Sequence, residues 1–252
     1  MTRIILCGAC GKMGGNVLSL LENDPEAKVV CGVDLYPREI GVPVYKTFAD
    51  VKEEADVIID FSSVVGLVER LEYARTHSLG IVLASTGFSA EDLQTIAEYE
   101  KSVAIFKTAN LSLGINLMQA LCKAAADVLG DGFDVEIIER HHNLKKDAPS
   151  GTALMLADSV NEVFEGKKKY VEGRSGIVGA REKTEIGIHA VRGGTIVGEH
   201  EVMFAGEDEV ITITHSAQSK RVFAVGAIRA AKFLKGKVAG RYEMKHLLAA
   251  EK

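Results

Sequence analysis

Apolar positions along the first hundred residues follow two alternating rhythms. Short runs at Ile4–Cys7, Lys28–Val33, Val57–Asp60, Ile81–Leu83 and Val103–Phe106 have strand length and are rich in Val and Ile. Between them the apolar spacing widens to that of a helix. Met13, Val17, Leu20 and Leu21 form one stripe within Lys12–Glu22, which Asn23-Asp24-Pro25 ends. Val64–His77 and Ala90–Lys101 repeat the pattern, the second entered through Ser89 with Glu91 and Asp92 in its first turn. Strands that alternate with helices pair in parallel through right-handed crossovers, so the pattern predicts an α/β fold with a Rossmann-type doubly wound sheet. Such strands are covered on both faces, which is why they read as unbroken apolar runs.

From about Asn110 the rhythm changes. Leu113–Leu129 carries a long helical stripe (Leu117, Ala120, Leu121, Ala124, Val128), and Phe133–Glu139 has the pattern of a strand. A histidine-rich polar loop and a second helix, Thr152–Glu165, come next. Glu185–Val191, Gly194–Ala205 and Glu209–Thr214 are then strand-like with no helix between them, which predicts a second, α+β domain with a mixed sheet. Phe223–Leu234 is helical again, and pattern alone leaves open which half it joins. The stretch Gly166–Arg181, with its Lys167-Lys168-Lys169 run, is expected to be an exposed loop whose cations face solvent.

Charge and composition narrow the function. Thirty Lys+Arg against 35 Asp+Glu among 252 residues give a net charge of −5, so nothing drives binding to a phosphate backbone, and no nucleic-acid partner is expected. The longest apolar runs are too short to span a bilayer, and the amino-terminal stretch is not a signal peptide, so no membrane association and a cytoplasmic location are expected. The four cysteines (Cys7, Cys10, Cys31, Cys122) are expected to be free thiols. Cys7-Gly8-Ala9-Cys10 is formally a CxxC, but a second such pair is missing, so no metal is expected.

Gly8-Ala9-Cys10-Gly11-Lys12-Met13-Gly14 directly follows the first strand and opens the first helix. A phosphate at a helix N-terminus meets unpaired N–H groups and a positive partial charge, and only glycine lets the backbone approach so closely. The spacing is GxxGxxG rather than GxGxxG, and a ligand-free turn has similar needs. Asp34 lies 26 residues after Gly8 at the end of the second strand. Its carboxylate suits an adenosine ribose diol and repels a 2′-phosphate, favouring NADH over NADPH, with Arg38, Lys12 and Lys46 able to soften that preference. Taken alone, it also reads as an exposed strand-end acid. Ala84-Ser85-Thr86 and Thr108-Ala109-Asn110-Leu111 put small or polar residues at two further strand ends, where an open sheet binds its ligand. Phe61 reads equally as a nicotinamide-facing ring or a core aromatic.

The densest polar chemistry is Glu139-Arg140-His141-His142-Asn143-Leu144-Lys145-Lys146-Asp147-Ala148-Pro149-Ser150-Gly151-Thr152. Ser150 and Thr152 offer hydroxyls, Gly151 and Thr152 offer N–H groups at a helix start, and Lys145 offers a charge; together they suit an anion. A histidine beside them can give a proton. Adjacent histidines on an extended segment point opposite ways, so a shared metal is awkward, and a purely structural loop is the remaining alternative.

The run Glu139-Arg140-His141-His142-x-x-Lys145-x-Asp147-x-Pro149-Ser150-Gly151-Thr152-Ala153 resembles the signature of the 4-hydroxy-tetrahydrodipicolinate reductase (dihydrodipicolinate reductase) family. Gly8-x-x-Gly11-Lys12-Met13-Gly14, Ser85-Thr86-Gly87-Phe88, Ala109-Asn110 with Ser112-x-Gly114-x-Asn116, and Gly198-Glu199-His200-Glu201-Val202 are also similar to it. The resemblance implies an NAD(P)H-dependent oxidoreductase of the diaminopimelate/lysine pathway, assembled as a homotetramer and acting on a small dicarboxylate. It implies a dinucleotide-binding domain at 1–111 and 222–252 and a substrate-binding and oligomerisation domain at 112–221. It makes His141 the proton donor and Lys145 its catalytic partner, with His142, Gly151 and Thr152 on the substrate's carboxylates beside Ser150. Gly8, Ala9, Cys10, Gly11, Lys12, Met13, Asp34, Ala84, Ser85, Thr86, Thr108, Ala109, Asn110 and Leu111 take the nucleotide-contacting positions. One departure is Lys220, which stands where the family usually has Arg unless Arg221 serves. A nucleotide-sensing regulator would use the same glycine loop, but no DNA-binding module is visible. An amino-acid dehydrogenase on similar domains would lack the Lys-x-Asp-x-Pro-Ser-Gly-Thr run.

Overall fold

The structure is a computed structural model that describes residues 1–250; positions 251 and 252, the end of the expected nucleotide domain, lie outside the described residues. In chain order the elements are β1 (Thr2–Cys7), α1 (Lys12–Leu21), β2 (Ala27–Val33), β3 (Val44–Tyr45), β4 (Val57–Asp60), α2 (Leu67–Thr76), β5 (Gly80–Leu83), α3 (Ala90–Tyr99) and β6 (Ala104–Lys107). There follow α4 (Leu113–Leu129), β7 (Asp134–His141), α5 (Gly151–Val163), β8 (Lys169–Glu172), β9 (Glu185–Arg192), β10 (Gly198–Ala205) and β11 (Val210–Ala217). The chain ends with α6 (Arg221–Leu234), β12 (Gly240–Tyr242) and α7 (Met244–Ala250). Contacts divide it into two compact units, Met1–Leu111 with the segment from Arg221 onward, and Ser112–Lys220.

The first unit is a seven-stranded sheet in the order β12-β6-β5-β4-β1-β2-β3, with parallel pairing throughout. The order reverses at β1, which pairs with β2 on one side and β4 on the other. Helices α2 and α3 cover the face that carries Ile5, Ile58, Ile81 and Ile105. Helix α6 runs against β1, β4 and β5 and packs on α1. Every residue of β4 and β5 is buried, as strands covered on both faces must be. The edge strands β3 and β12 have two and three residues, too few for a periodic signal.

In the second unit the order is β11-β10-β7-β9-β8, antiparallel across β11, β10 and β7 and parallel across β7, β9 and β8. Burial alternates strictly along β7 and β10, so one sheet face is the core. Ile115, Met118 and Cys122 of α4 and Leu156, Ala157 and Val160 of α5 close that core over Ile137, Ile188 and Val202.

The expected loop at Gly166–Arg181 needs correction, because it contains β8, an edge strand pairing in parallel with β9. Nor is its lysine run wholly solvated. The Lys168 side chain is largely covered, with Nζ 2.7 Å from the Lys183 carbonyl and 4.3 Å from the centre of the Phe164 ring. Its aliphatic stem covers apolar surface while the ammonium finds oxygens.

Candidate active site

The C-terminal ends of β1, β4, β5 and β6 stand level: Cys7 is opposite Asp60, Asp60 opposite Leu83, and Leu83 opposite Lys107. Gly8, Phe61, Ala84 and Thr108 therefore leave the sheet along one edge, at the point where strand order reverses. Gly8 has φ +70°, and a Cβ there would lie 2.9 Å from the Phe61 carbonyl oxygen. At Gly14, inside the first turn of α1, a Cβ would lie 2.3 Å from the Ala9 oxygen. The turn closes only because both positions lack side chains. Gly11 is the N-cap of α1 and provides no side-chain cap, so the helix presents its leading N–H groups at this edge.

Asp34 follows β2. Its Oδ2 accepts from the Cys10 N–H at 3.0 Å and its Oδ1 from the Tyr36 N–H at 3.0 Å. An ionised carboxylate has about four acceptor sites. Two main-chain donors orient this one and leave capacity for a diol. The Arg38 guanidinium donates to the Cys10 carbonyl, which brings a cation to the same loop. Beneath the edge, Asp60 is fully buried and pairs with Arg70 Nε at 2.8 Å. It also accepts from the Ser62 N–H at 2.9 Å and the Ser85 hydroxyl at 3.3 Å, tying the ends of β4 and β5 together. Ser85 and Thr86 follow β5, and Thr108 accepts from the Asn110 N–H at 3.4 Å after β6. Burial pushes the Cys7 thiol well up, with the nearby Asp60 charge adding to it, so it stays protonated.

In the second unit the polar run divides between the end of β7, a loop and the start of α5. The structure brings His141, Lys145 and Ser150 to Thr152 into one region of this unit. Ser150 caps α5, its hydroxyl accepting from the Ala153 N–H at 3.1 Å, so Gly151 and Thr152 head the helix. Lys145 Nζ lies 2.8 and 2.9 Å from the two Asp147 carboxylate oxygens. His142 is half-buried, and its Nδ1 has no hydrogen-bond partner among the described residues. A buried polar atom left without a partner fits a hydrogen-bonding ligand.

Two strand residues that lie in the quoted sequence motifs but were given no role there join this site. Glu139 is fully buried and accepts from His141 Nδ1 at 2.6 Å, the Ser150 N–H at 2.9 Å and both terminal nitrogens of Arg192 at 2.7 and 2.8 Å. Burial alone would push its carboxyl up, but bonds from Arg192, His141 and Ser150 outweigh that and hold it below the usual carboxylate range. His200 on β10 sits opposite Glu139, edge-on to the His141 ring with centres 5.2 Å apart and Nε2 3.0 Å from the Ser150 hydroxyl. Burial, foremost, and the neighbouring His141 charge bring its pKa down to about 4, so it is neutral near pH 7. Strand periodicity held the signal, since Glu139 lies two residues before His141 and shares its face.

A family model described as dihydrodipicolinate reductase, N-terminus, matches residues 2–111, and one described as dihydrodipicolinate reductase, C-terminus, matches residues 114–248. The chain belongs to the dihydrodipicolinate reductase family. A 4-hydroxy-tetrahydrodipicolinate reductase of Caldanaerobacter subterraneus subsp. tengcongensis is 53% identical over 248 residues, 98% of each chain. One from Clostridium novyi strain NT is 42% identical over 252 residues, 100% of each. The dipicolinate-bound dihydrodipicolinate reductase from Paenisporosarcina sp. TG-14 matches with a TM-score of 0.79 at 26% identity, over 96% of this chain and 97% of that one. As a dihydrodipicolinate reductase family member, the chain is a pyridine-nucleotide-dependent oxidoreductase.

Proposed function

We propose that this reductase converts 4-hydroxy-tetrahydrodipicolinate to tetrahydrodipicolinate in the diaminopimelate/lysine pathway, with His141 as proton donor. The observation that carries the reading is the His141–Glu139 pair set beside Lys145 and the Ser150-capped start of α5. The dipicolinate on the Paenisporosarcina relative is a planar ring with two carboxylates, the kind of ligand this donor set suits. Burying a small dianion without such donors costs several kcal/mol.

The nucleotide is assigned to the first unit. Gly8, Ala9, Cys10, Gly11, Lys12 and Met13 cradle its phosphates, Asp34 holds the adenosine ribose, and Ala84, Ser85, Thr86, Thr108, Ala109, Asn110 and Leu111 line the remaining strand ends. The tight glycine turn and the uncapped start of α1 fit that group. A bound NADH or NADPH supplies a hydride from nicotinamide C4. Asp34 favours NADH, and Arg38 beside the same loop tempers the discrimination.

The substrate's hydroxyl leaves as water, and the resulting C=C–C=N system takes up one hydride and one proton. The N–H groups of Gly151 and Thr152, the Ser150 hydroxyl and His142 receive the carboxylates. His141 keeps Nδ1 on Glu139 and gives the proton from Nε2. Lys145 shares its ammonium between Asp147 and the charge that develops on the substrate. The protein is further proposed to be a cytoplasmic homotetramer; none of its described helices is long and apolar enough to cross a membrane.

The deciding experiment follows absorbance at 340 nm while the product of the preceding synthase step is supplied with each nucleotide in turn. Nucleotide oxidation that depends on this substrate supports the reading, and its absence with both nucleotides refutes it. In the same assay Lys145→Ala should lose about 2–4 kcal/mol of transition-state stabilisation. Near-normal turnover of that variant would remove Lys145 from the mechanism.

A further inference from the structure

We propose that Glu139 and Arg192 are positioning residues that set the two reacting side chains together: Glu139 fixes the ring of His141, and Arg192 anchors both Glu139 and the main chain that presents Lys145. The inference rests on the proton-donor reading above and extends it to two residues that touch no substrate.

The Glu139 carboxylate is saturated. Oε1 accepts from the Ser150 N–H at 2.9 Å and Arg192 Nη2 at 2.8 Å. Oε2 accepts from His141 Nδ1 at 2.6 Å and Arg192 Nη1 at 2.7 Å. Four donors fill the four acceptor sites of an ionised carboxylate, and such a group can only accept. His141 Nδ1 therefore carries a hydrogen whether the ring is charged or neutral. Nε2 is the nitrogen that gains and loses the proton, and donation leaves the Nδ1–H tautomer already paired with Glu139.

Arg192 ends β9 directly opposite His141. Its fork binds both Glu139 oxygens, and Nη2 also donates to the Asp147 carbonyl at 2.7 Å. The side chain of that same Asp147 holds the Lys145 ammonium. One planar guanidinium thus ties the carboxylate behind the proton donor to the loop of the lysine, a geometry an ammonium cannot copy. The groups facing His141 are Glu139 on its own strand, Arg192 from β9 and His200 from β10, with Ser150 at the start of α5 bonded to both Glu139 and His200.

Glu139→Gln separates positioning from bulk. With the amide oxygen at the Oε1 position, the Ser150 N–H and Arg192 Nη2 stay satisfied, while the amide NH2 replaces the acceptor of both Arg192 Nη1, which loses that bond, and His141 Nδ1, which it now faces as a donor. That donor demands a lone pair on Nδ1, which drives the neutral ring to the Nε2–H tautomer and disfavours the imidazolium.

The test uses the full chain with 15N-labelled histidine, the His141 signals being assigned by their loss in His141→Gln. In the unliganded wild type the neutral His141 ring is expected as the Nδ1–H tautomer, and in Glu139→Gln as Nε2–H. In Glu139→Gln, kcat should fall about 100-fold with little change in KM for the nucleotide. Arg192→Lys should keep the tautomer and lose about 10-fold in kcat, whereas Arg192→Met should also raise KM for the substrate. A wild-type ring in the Nε2–H form overturns the proposal without any variant having to fold. So does a folded Glu139→Gln protein with unchanged kcat. His141→Gln with near-normal kcat would instead refute the proton-donor reading, while the tautomer signals would still report whether Glu139 fixes the ring.

Discussion

Asp34 shows how one side chain can be held and still remain receptive. Two main-chain N–H groups orient its carboxylate and occupy half of its acceptor sites. Hydrogen bonds to a charged group contribute about 1.5–3 kcal/mol, so Asp34→Ala should weaken NADH binding roughly 10- to 100-fold. NADPH should lose much less, because its 2′-phosphate gains from removal of the negative charge. Calorimetric titration with both nucleotides checks this, and equal losses would contradict the ribose assignment. At this scale the sequence was informative wherever a residue type is rare for its place: glycines before a helix, paired histidines, a serine ahead of Gly151. It was uninformative where a charge occupies an ordinary strand position. Arg192 looks like a surface residue at the end of β9 until the register sets it opposite His141, and Glu139, which the period of β7 puts on the core face with Val135 and Ile137, shows its partners only once the sheet is packed.

Helix starts carry much of the local order among the elements. Ser89, Ser112 and Ser150 each cap a helix through the hydroxyl. Around Ser89 the arrangement is reciprocal: its hydroxyl accepts from the Asp92 N–H at 3.1 Å, and the Asp92 carboxylate accepts from the Ser89 N–H at 2.8 Å. Ser89 is exposed, so removing the hydroxyl leaves no cavity. Ser89→Ala should therefore cost about 1 kcal/mol of unfolding free energy, read by urea denaturation. The long elements were legible by period and length, and β4 and β5 are the unbroken runs that two-sided burial requires. Helix α4 spans the predicted range, but the stripe expected to be its apolar face (Leu117, Ala120, Leu121, Ala124, Val128) is exposed, and Ile115, Met118, Cys122 and Ala126 on another face enter the core. Strand β8 escaped because Lys169-Tyr170-Val171-Glu172 is a four-residue edge with charged ends. Its place is set by pairing with β9 and by Lys168, whose covered side chain nothing in a run of three lysines announces.

For the molecule as a whole, the histidines of the second unit make stability depend on pH. Unfolded, His200 titrates near its ordinary 6.5; folded, burial and the His141 charge hold it at about 4. Between those values the unfolded chain binds a proton that the native one refuses, so stability is full above about pH 6.5 and falls as the pH drops toward about 4. His215, opposite His200 on β11 and lowered by burial, adds to the same slope. Glu136, held at about 2 despite its burial by Arg174, Arg181 and His189, loses its contribution only at lower pH. Urea denaturation followed by far-ultraviolet circular dichroism, which suits a chain without tryptophan, should show the decline between about pH 6.5 and about pH 5. His200→Gln should flatten it, and an unaltered slope would exclude His200 as its source. The first unit is itself interrupted in sequence, yet its break is pinned shut: a Cβ on Gly226 of α6 would lie 1.8 Å from the Leu111 carbonyl oxygen. Arg221 is five residues, about 7.5 Å of helix, from that contact. A splice of about three residues would span the gap, so 112–220 can be excised as one cassette and the remaining halves rejoined into an uninterrupted polypeptide.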